Sequence, residues 1–279
     1  MLENLNNMLK KAKNNKYAVP HFNINNCEWA KYILEECNVL QTPVIIGVSE
    51  SAVKYMGGYN TVSMMVNGLI KDLDITIPVC LHLDHGSSFE SCKRAIDAGF
   101  SSVMIDASKN NIEENINITA KTVDYAHQKG VSVEAELGYI GTAESENFMK
   151  NTTVEQCIEF YNATKIDALA PAVGSVHGIY KRKPNLDFET VSKISSSIPI
   201  PIVLHGGTGI PEKQLRKSIS CGISKININT DLQIAWSKAV RKYLKCNKKV
   251  YDPRKIISSG EQAIKERIKE IVTLCRKTI

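Results

Sequence analysis

Three histidines of this chain occur in the same setting, at the end of an apolar run and directly before a glycine. They are His85, His177 and His205, which lie far apart in the sequence. A catalytic zinc site has three protein ligands, often imidazoles, and one open position. A lone histidine is more often a hydrogen-bonded structural residue, but three in one setting predict a metal centre. Asp84 adds a carboxylate beside His85, where it can exchange protons with a substrate.

Eight apolar segments that alternate with segments of helical spacing are expected to position these residues. This alternation is typical of a (β/α)8 barrel, and 279 residues are near the usual length of about 250. A doubly wound sheet normally has a glycine-rich fingerprint after its first strand, which this sequence lacks. We therefore predict an α/β fold, a (β/α)8 TIM barrel with extra C-terminal helices. The predicted strands are 18–22, 43–48, 78–83, 102–105, 131–137, 167–173, 199–204 and 224–229.

On this prediction, the unusual polar residues fall at one end of the barrel. The strand ends carry or directly precede His85, Asp106, Glu136, His177, His205 and Asn229. Active sites of barrel enzymes lie at the C-terminal ends of the strands, so these side chains are expected to converge. His82 shares a face with Asp84 but lies one step deeper, and it is predicted to be structural or to support a ligand.

Two loops of the predicted barrel have the composition of a phosphate site. Gly206-Gly207-Thr208-Gly209 follows the seventh strand, and Asn227-Ile228-Asn229-Thr230 leads from the eighth strand into a helix. Barrels commonly bind phosphate in these two loops, through backbone N–H groups and a helix N-terminus. One glycine-rich turn could be only a tight loop, but the pair favours phosphate binding.

Composition excludes several other classes of protein. The net charge is only +6, the aromatic content is 6%, and the basic residues do not form a stripe. These features argue against nucleic-acid binding. Eight scattered cysteines without a Cys-x-x-Cys pair suit reduced thiols, and no apolar run approaches the roughly 20 residues of a membrane span. We expect a cytoplasmic protein of one domain, residues 1–279, in which 247–279 form an extension that packs on the barrel or on a neighbouring subunit.

Ordered motifs along the whole chain resemble the class II (zinc-dependent) ketose-bisphosphate aldolases, in the subgroup that acts on fructose or tagatose 1,6-bisphosphate. The motifs are 19–23, 48–51, 83–86, 134–138, 174–178, 204–209, 227–231 and 251–254. The resemblance implies reversible aldol cleavage to dihydroxyacetone phosphate and glyceraldehyde 3-phosphate. It also implies a homodimer or homotetramer, a phosphorylated sugar as substrate and, in some members, a second divalent metal and a monovalent cation.

Particular roles follow from this resemblance. His85, His177 and His205 correspond to the ligands of the catalytic zinc, and Asp84 to the acid/base at the C4 hydroxyl. Glu144 corresponds to a mobile-loop carboxylate that moves the C3 proton. Asp106 and Glu136 correspond to a second metal site, and Asn23 and Ser49 to contacts with substrate hydroxyls or phosphate. Arg254 corresponds to a residue that binds the other phosphate and reaches in from a second subunit. The dihydroxyacetone-phosphate end would be bound by Gly178, Gly206, Gly207, Thr208, Asn227, Ile228, Asn229 and Thr230.

The chain departs from the family pattern at a few positions. Thr142 and Ser145 replace residues of the usual mobile-loop motif, and Ser51 stands where glycine is common. Lys225 is the nearest candidate for a Schiff base, although a single strand lysine is more often structural or phosphate-facing. Two alternatives stay open: another zinc-dependent barrel enzyme, and a non-catalytic binding or regulatory protein on the aldolase scaffold. The sequence does not separate fructose from tagatose bisphosphate, which differ at C4.

Overall fold

A computed structural model describes residues 2–141 and 151–276 and contains a closed barrel of eight parallel strands in sequence order. The predicted fold class is therefore confirmed. Each predicted strand is present, with ends that differ by up to three residues. The strands are β1 (Val19–Asn23), β2 (Val44–Ser49), β3 (Val79–Gly86), β4 (Ser102–Ile105), β5 (Ser132–Leu137), β6 (Ala168–Pro171), β7 (Ile202–Leu204) and β8 (Ile223–Ile228).

Helices surround the barrel, and most begin at a side-chain cap. Asn26, Ser88 and Thr153 each accept a hydrogen bond from a backbone N–H of the first helical turn, which satisfies a donor left free there. The described helices are α1 (Leu5–Asn15), α2 (Cys27–Val39), α3 (Glu50–Tyr55), α4 (Tyr59–Asp72), α5 (Phe89–Asp97), α6 (Ile112–His127), α7 (Val154–Thr164), α8 (Phe188–Ser197), α9 (Glu212–Ser220), α10 (Thr230–Cys246), α11 (Pro253–Ser258) and α12 (Glu261–Cys275). Each is too short or too polar to cross a bilayer.

The lower end of the barrel, at the N-terminal ends of the strands, is apolar. Leu5, Met8, Leu9 and Ala12 form the buried face of α1. They pack on small and branched interior residues of the strands, which are Val19, Ile45, Cys80, Ala168, Ala170 and Val203. Helix α1 thus closes the lower end, because its apolar stripe at helical spacing fits the apolar floor of the barrel.

The upper end of the barrel interior, at the C-terminal ends of the strands, is polar. Side chains on a strand alternate between its two faces, so every second residue points inward. On β1 the inward series runs upward from Val19 to His21 and Asn23, and on β8 it ends at Asn227. On β1 the interior therefore changes from apolar to polar within one step of this series, from Val19 to His21.

The chain after β8 returns to the barrel. Ile264 and Ile268 of α12 are fully buried in the main core, and the backbone N–H of Ala18 donates to the carbonyl of Cys275 at 2.9 Å. Trp236 of α10 donates from Nε1 to the carbonyl of Ile257 at 3.1 Å, which fixes α11 against α10. The C-terminal helices thus cover the outside of the barrel near its first strand.

Candidate metal centre and active site

The three predicted ligand histidines meet at the upper end of the barrel. Nδ1 of His205 lies 3.0 Å from Nε2 of His85 and 3.5 Å from Nε2 of His177. Their rings pack edge to face, with centroids 4.8 to 5.7 Å apart. These ring nitrogens form one group with the spacing needed to hold a metal ion.

The outward nitrogen of each ring faces an oxygen acceptor. Nδ1 of His85 lies 2.8 Å from a carboxylate oxygen of Asp106, and Nδ1 of His177 lies 3.0 Å from the carbonyl of Ile140. Nε2 of His205 lies 2.8 Å from Oε1 of Glu134. These oxygens attract an N–H, and a neutral imidazole with its proton on the outer nitrogen directs a lone pair inward. This pattern of outer hydrogen bonds is the usual support of metal-bound histidine.

Backbone conformation directs the His85 ring into the site. Its φ of +52° lies in the left-handed region, which a residue with a side chain rarely adopts. The pairing of β3 with β4 shifts register between Leu83 and Gly86, as expected for a bulge. A Cβ at Gly86 would lie 2.7 Å from the carbonyl oxygen of Met104, so the close approach needs glycine. Together these features turn the end of β3 toward the centre of the barrel mouth.

Electrostatics favour a cation between the rings. Burial acts to lower the pKa of His85, but Asp84, Asp106 and Glu136 raise it to about 9. Burial and the neighbouring His85 lower the pKa of both His177 and His205. Positive charge is therefore favoured at the centre, and either a proton on His85 or a metal ion can supply it.

Asp84 lies beside the metal centre and is held by two amides. Asn23 donates to its Oδ2 at 2.8 Å, and Asn227 donates to its Oδ1 at 3.3 Å. Although burial acts to raise the pKa of Asp84, His21, His85 and His205 hold it well below its ordinary value. Asp84 is thus a fixed carboxylate with acceptor capacity toward the pocket.

Asp106 and Glu136 form a second group with His85 that could hold a metal. The hydroxyl of Ser108 lies 2.7 Å from Oδ1 of Asp106 and 3.0 Å from Oε1 of Glu136. Burial and the neighbouring Asp106 raise the pKa of Glu136 to about 8. Its Oε2 has no hydrogen-bond partner among the described residues, as expected for an atom that can accept a further ligand.

A cavity of about 370 Å³ opens above the histidines. Its described lining contains most of the predicted substrate residues, which are Asn23, Ser49, Gly178, Gly206, Thr208, Asn227, Asn229 and Thr230. At Gly206, φ is +67° and a Cβ would lie 2.1 Å from the carbonyl oxygen of Val176, so the loop after β7 approaches the loop after β6 closely. The two predicted phosphate loops therefore meet the metal centre in one pocket.

Residues 3–278 match the family described as Fructose-bisphosphate aldolase class-II. The chain belongs to this aldolase family. It is 54% identical to a fructose-bisphosphate aldolase of Geobacillus stearothermophilus over 96% of this chain and 94% of the relative. It is also 54% identical to one of Staphylococcus aureus strain Mu50, over 96% and 95% of the two chains.

Solved structures of aldolases have the same fold. The YdjI aldolase from Escherichia coli K12 has a TM-score of 0.86 and 34% identity, over 99% of this chain and 97% of that one. Fructose-bisphosphate aldolase from Campylobacter jejuni has a TM-score of 0.82 and 27% identity, over 97% and 93%. The predicted class II aldolase, a carbon–carbon lyase, is therefore confirmed, and the matches name fructose bisphosphate, which the sequence alone did not separate from tagatose bisphosphate.

Three residues predicted for the aldolase site, Gly207, Ile228 and Arg254, are not part of the described lining of its cavity. Gly207 packs tightly on Ile226 and the backbone of Asn227, and the side chain of Ile228 is buried in the core. Arg254 is exposed on α11 and pairs with Asp252 at 3.0 Å, in a different surface cavity of this chain. Glu144 lies outside the described residues, as do Thr142 and Ser145.

The aldolase site also contains residues that the sequence analysis missed. Lys109 and Tyr139 line the cavity, with Nζ of Lys109 5.9 Å from the centre of the Tyr139 ring. Glu134 supports His205 and pairs with Lys225 at 2.6 Å. Strand alternation could have found Glu134, because it shares the inward face of β5 with Glu136. Lys109 and Tyr139 carry no such signal, since both lie in loops.

Proposed function

We propose that this aldolase catalyses the reversible, zinc-dependent cleavage of fructose 1,6-bisphosphate to dihydroxyacetone phosphate and glyceraldehyde 3-phosphate in the cavity above His85, His177 and His205. One observation carries the proposal. Three imidazole nitrogens converge at 3.0 to 3.5 Å beside a fixed carboxylate, under a pocket with two phosphate-type loops.

The residues fit a zinc ion. Each outer ring nitrogen has an oxygen acceptor, so the inner nitrogens of His85, His177 and His205 can all act as ligands. Nitrogen ligands of this number suit zinc with an open coordination position. Zinc, when bound, supplies Lewis-acid charge that stabilises the carbanion left when the bond between C3 and C4 breaks.

In this mechanism Asp84 takes the proton of the substrate C4 hydroxyl during cleavage and returns it during condensation. Its support by Asn23 and Asn227 leaves it little freedom to rotate, so the carboxylate is oriented before substrate arrives. Asn23 and Ser49 contact the substrate hydroxyls or phosphate. Glu144 moves the proton at C3.

The dihydroxyacetone-phosphate end binds at the loops after β6, β7 and β8. Backbone N–H groups at a glycine turn and at the start of a helix attract phosphate oxygens. The residues assigned to direct contact with this end are Gly178, Gly206, Thr208, Asn227, Asn229 and Thr230, which line the cavity. Gly207 and Ile228 belong to the same two loops and support them from behind, since the N–H of Gly207 donates to the carbonyl of Asn227 at 3.1 Å. Thr208 Oγ1 already accepts from the backbone N–H of Asp231 at 3.3 Å, which joins the two loops.

Several further assignments complete the proposal. Arg254 binds the second phosphate from a neighbouring subunit, in a homodimer or homotetramer. Its guanidinium is 89% exposed, so it is available to a partner molecule. Asp106 and Glu136 hold a second divalent metal, and a monovalent cation accompanies the phosphate. Residues 1–279 act as one cytoplasmic domain with 247–279 as its extension.

The test is cleavage of fructose and tagatose 1,6-bisphosphate, each with and without a chelator. Chelation should abolish cleavage, added zinc should restore it, and fructose bisphosphate should be the better substrate. Borohydride with substrate should leave the enzyme active. Covalent trapping of the ketose on a lysine, or full activity without metal, would contradict the mechanism. Zinc binding without cleavage of either sugar would favour the non-catalytic alternative.

A further inference from the structure

Glu134 makes two short contacts in the middle of the barrel interior. Its Oε1 lies 2.8 Å from Nε2 of His205, and its Oε2 lies 2.6 Å from Nζ of Lys225. The side chains of Glu134, Lys225 and His205 are all fully buried. Glu134 lies on β5 and Lys225 on β8, while His205 directly follows β7. The contact between Glu134 and Lys225 therefore crosses the barrel between strands that are not neighbours.

This arrangement accounts for an asymmetry among the three histidines. His205 faces the other two rings with Nδ1, whereas His85 and His177 face inward with Nε2. In His205 the nitrogen that points down the barrel is Nε2, and Glu134 lies directly below it. Because a carboxylate only accepts, its position favours the proton on Nε2 and the lone pair on Nδ1.

Support for His205 differs from that of the other two rings. The carboxylate that supports His85 belongs to Asp106, which is 17% exposed and also accepts from Ser108. His177 is supported by a backbone carbonyl. Only the carboxylate below His205, among these described contacts, has a buried cation as a second partner. A buried carboxylate left without such a cation is strongly destabilising, so Lys225 holds Glu134 in place.

We propose that Glu134, held by Lys225, is a positioning residue that fixes His205 with Nδ1 toward the metal. Lys225 serves Glu134 rather than substrate, because its ammonium is fully buried and does not line the catalytic cavity. The proposal rests on the metal centre proposed above but not on the reaction. Loss of this hydrogen bond weakens zinc binding, because the ring can then turn or carry its proton on Nδ1.

Two double variants distinguish the role of Glu134 in positioning His205 from its role in packing the barrel interior. Glu134→Leu with Lys225→Met replaces the buried pair by apolar side chains of similar volume, a change that barrels and cores often tolerate. Glu134→Gln with Lys225→Met keeps an oxygen acceptor for His205. The two variants thus differ mainly in the hydrogen bond to Nε2 of His205. Ser102→Ala is the matched control, since it removes a buried barrel hydroxyl that contacts His82 and not His205.

The measurement is chelator competition on each zinc-loaded full-length variant, with the thermal unfolding temperature recorded alongside. We expect the leucine variant to bind zinc roughly 10–100-fold more weakly than the glutamine variant, the range for loss of such an outer hydrogen bond. Ser102→Ala should keep the zinc affinity of the unchanged protein. Equal affinities of the leucine and glutamine variants would overturn the proposal.

A second measurement needs no variant, in case the leucine protein does not fold. Nitrogen-15 NMR of histidine-labelled, zinc-loaded protein should show one imidazole bound through Nδ1 with a protonated Nε2, and two bound through Nε2. Three rings bound through Nε2 would overturn the proposal. Neither measurement uses substrate, so both remain valid if cleavage of the bisphosphate fails.

Discussion

The two ends of the barrel interior are built from different chemistry. At the lower end, α1 and the strands bury apolar side chains such as Leu5 and Leu9. At the upper end, the same strands bury or half-bury imidazoles, carboxylates and amides, several of which have one nitrogen or oxygen atom without a hydrogen-bond partner among the described residues. Apolar burial stabilises a fold, whereas buried polar groups cost free energy unless they are paired. The comparison indicates that the lower end stabilises the barrel and that the upper end is organised for a ligand.

The largest expected effect is at the metal ligands. His85→Ala should lose zinc and reduce cleavage to the detection limit, because the two remaining imidazoles do not bind zinc as tightly as three. Zinc content by mass spectrometry and cleavage rate are the measurements. His127→Ala is the control: this histidine lies on α6 and pairs with Asp167 at 2.8 Å, away from the cavity. A His85→Ala protein that keeps both zinc and activity would contradict the claim that the upper end of the barrel is organised around this metal site.

A variant of Asp84 tests whether the upper end contains a residue that is needed for catalysis but not for zinc binding. Asp84→Ala should lower kcat by roughly 10²–10⁴-fold, the range for loss of a general acid or base, while zinc stays bound. Steady-state kinetics and zinc content are measured together. Asp124→Ala, at an exposed position of α6, should change neither. Nearly full activity of Asp84→Ala would remove the role assigned to this carboxylate.

Glu144 tests whether the catalytic groups include a residue outside the part of the chain that the structure describes. Glu144→Ala should slow exchange of the C3 proton of dihydroxyacetone phosphate by roughly 10²-fold or more, the lower limit for a lost general base. Phosphate binding and zinc content should change little. Solvent deuterium exchange reports the rate. Equal rates in the unchanged and variant proteins would assign the proton transfer to another base.

The lower end should show the opposite pattern. Leu9→Ala removes a fully buried side chain of α1 and should cost about 2–5 kcal/mol in free energy of unfolding. Its zinc affinity and kcat at a temperature well below unfolding should match those of the unchanged protein. Denaturant unfolding measures the stability, and Lys10→Ala, at an exposed neighbour, is the control. Weakened zinc binding in Leu9→Ala would show that the two ends are coupled.

Much of this structure was predictable from local patterns. Apolar runs gave all eight strands to within three residues, and strand alternation placed Asp84 and His82 on one inward face. Helix α4 begins after Gly58 without a side-chain cap and therefore lacks the usual start signal.

The remaining features depend on closure of the barrel and on longer-range packing. The contact between Glu134 and Lys225 joins residues 91 positions apart across the interior, and no local pattern encodes it. The same holds for the left-handed conformation of His85, which follows from the bulge between β3 and β4. The role proposed for Arg254 requires a neighbouring subunit, which no pattern within one chain encodes. Motif resemblance supplied the roles proposed for His85 and Arg254, whereas the support of His205 by Glu134 came only from the structure.

The central claim is that His85, His177 and His205 bind one metal ion through their inward nitrogens. A crystal structure of the zinc-loaded protein, with anomalous diffraction measured at the zinc edge, tests it most directly. The account predicts a peak about 2.0–2.1 Å from Nε2 of His85, Nε2 of His177 and Nδ1 of His205. A map without a peak between these rings, or zinc bound through the opposite nitrogens, would contradict it.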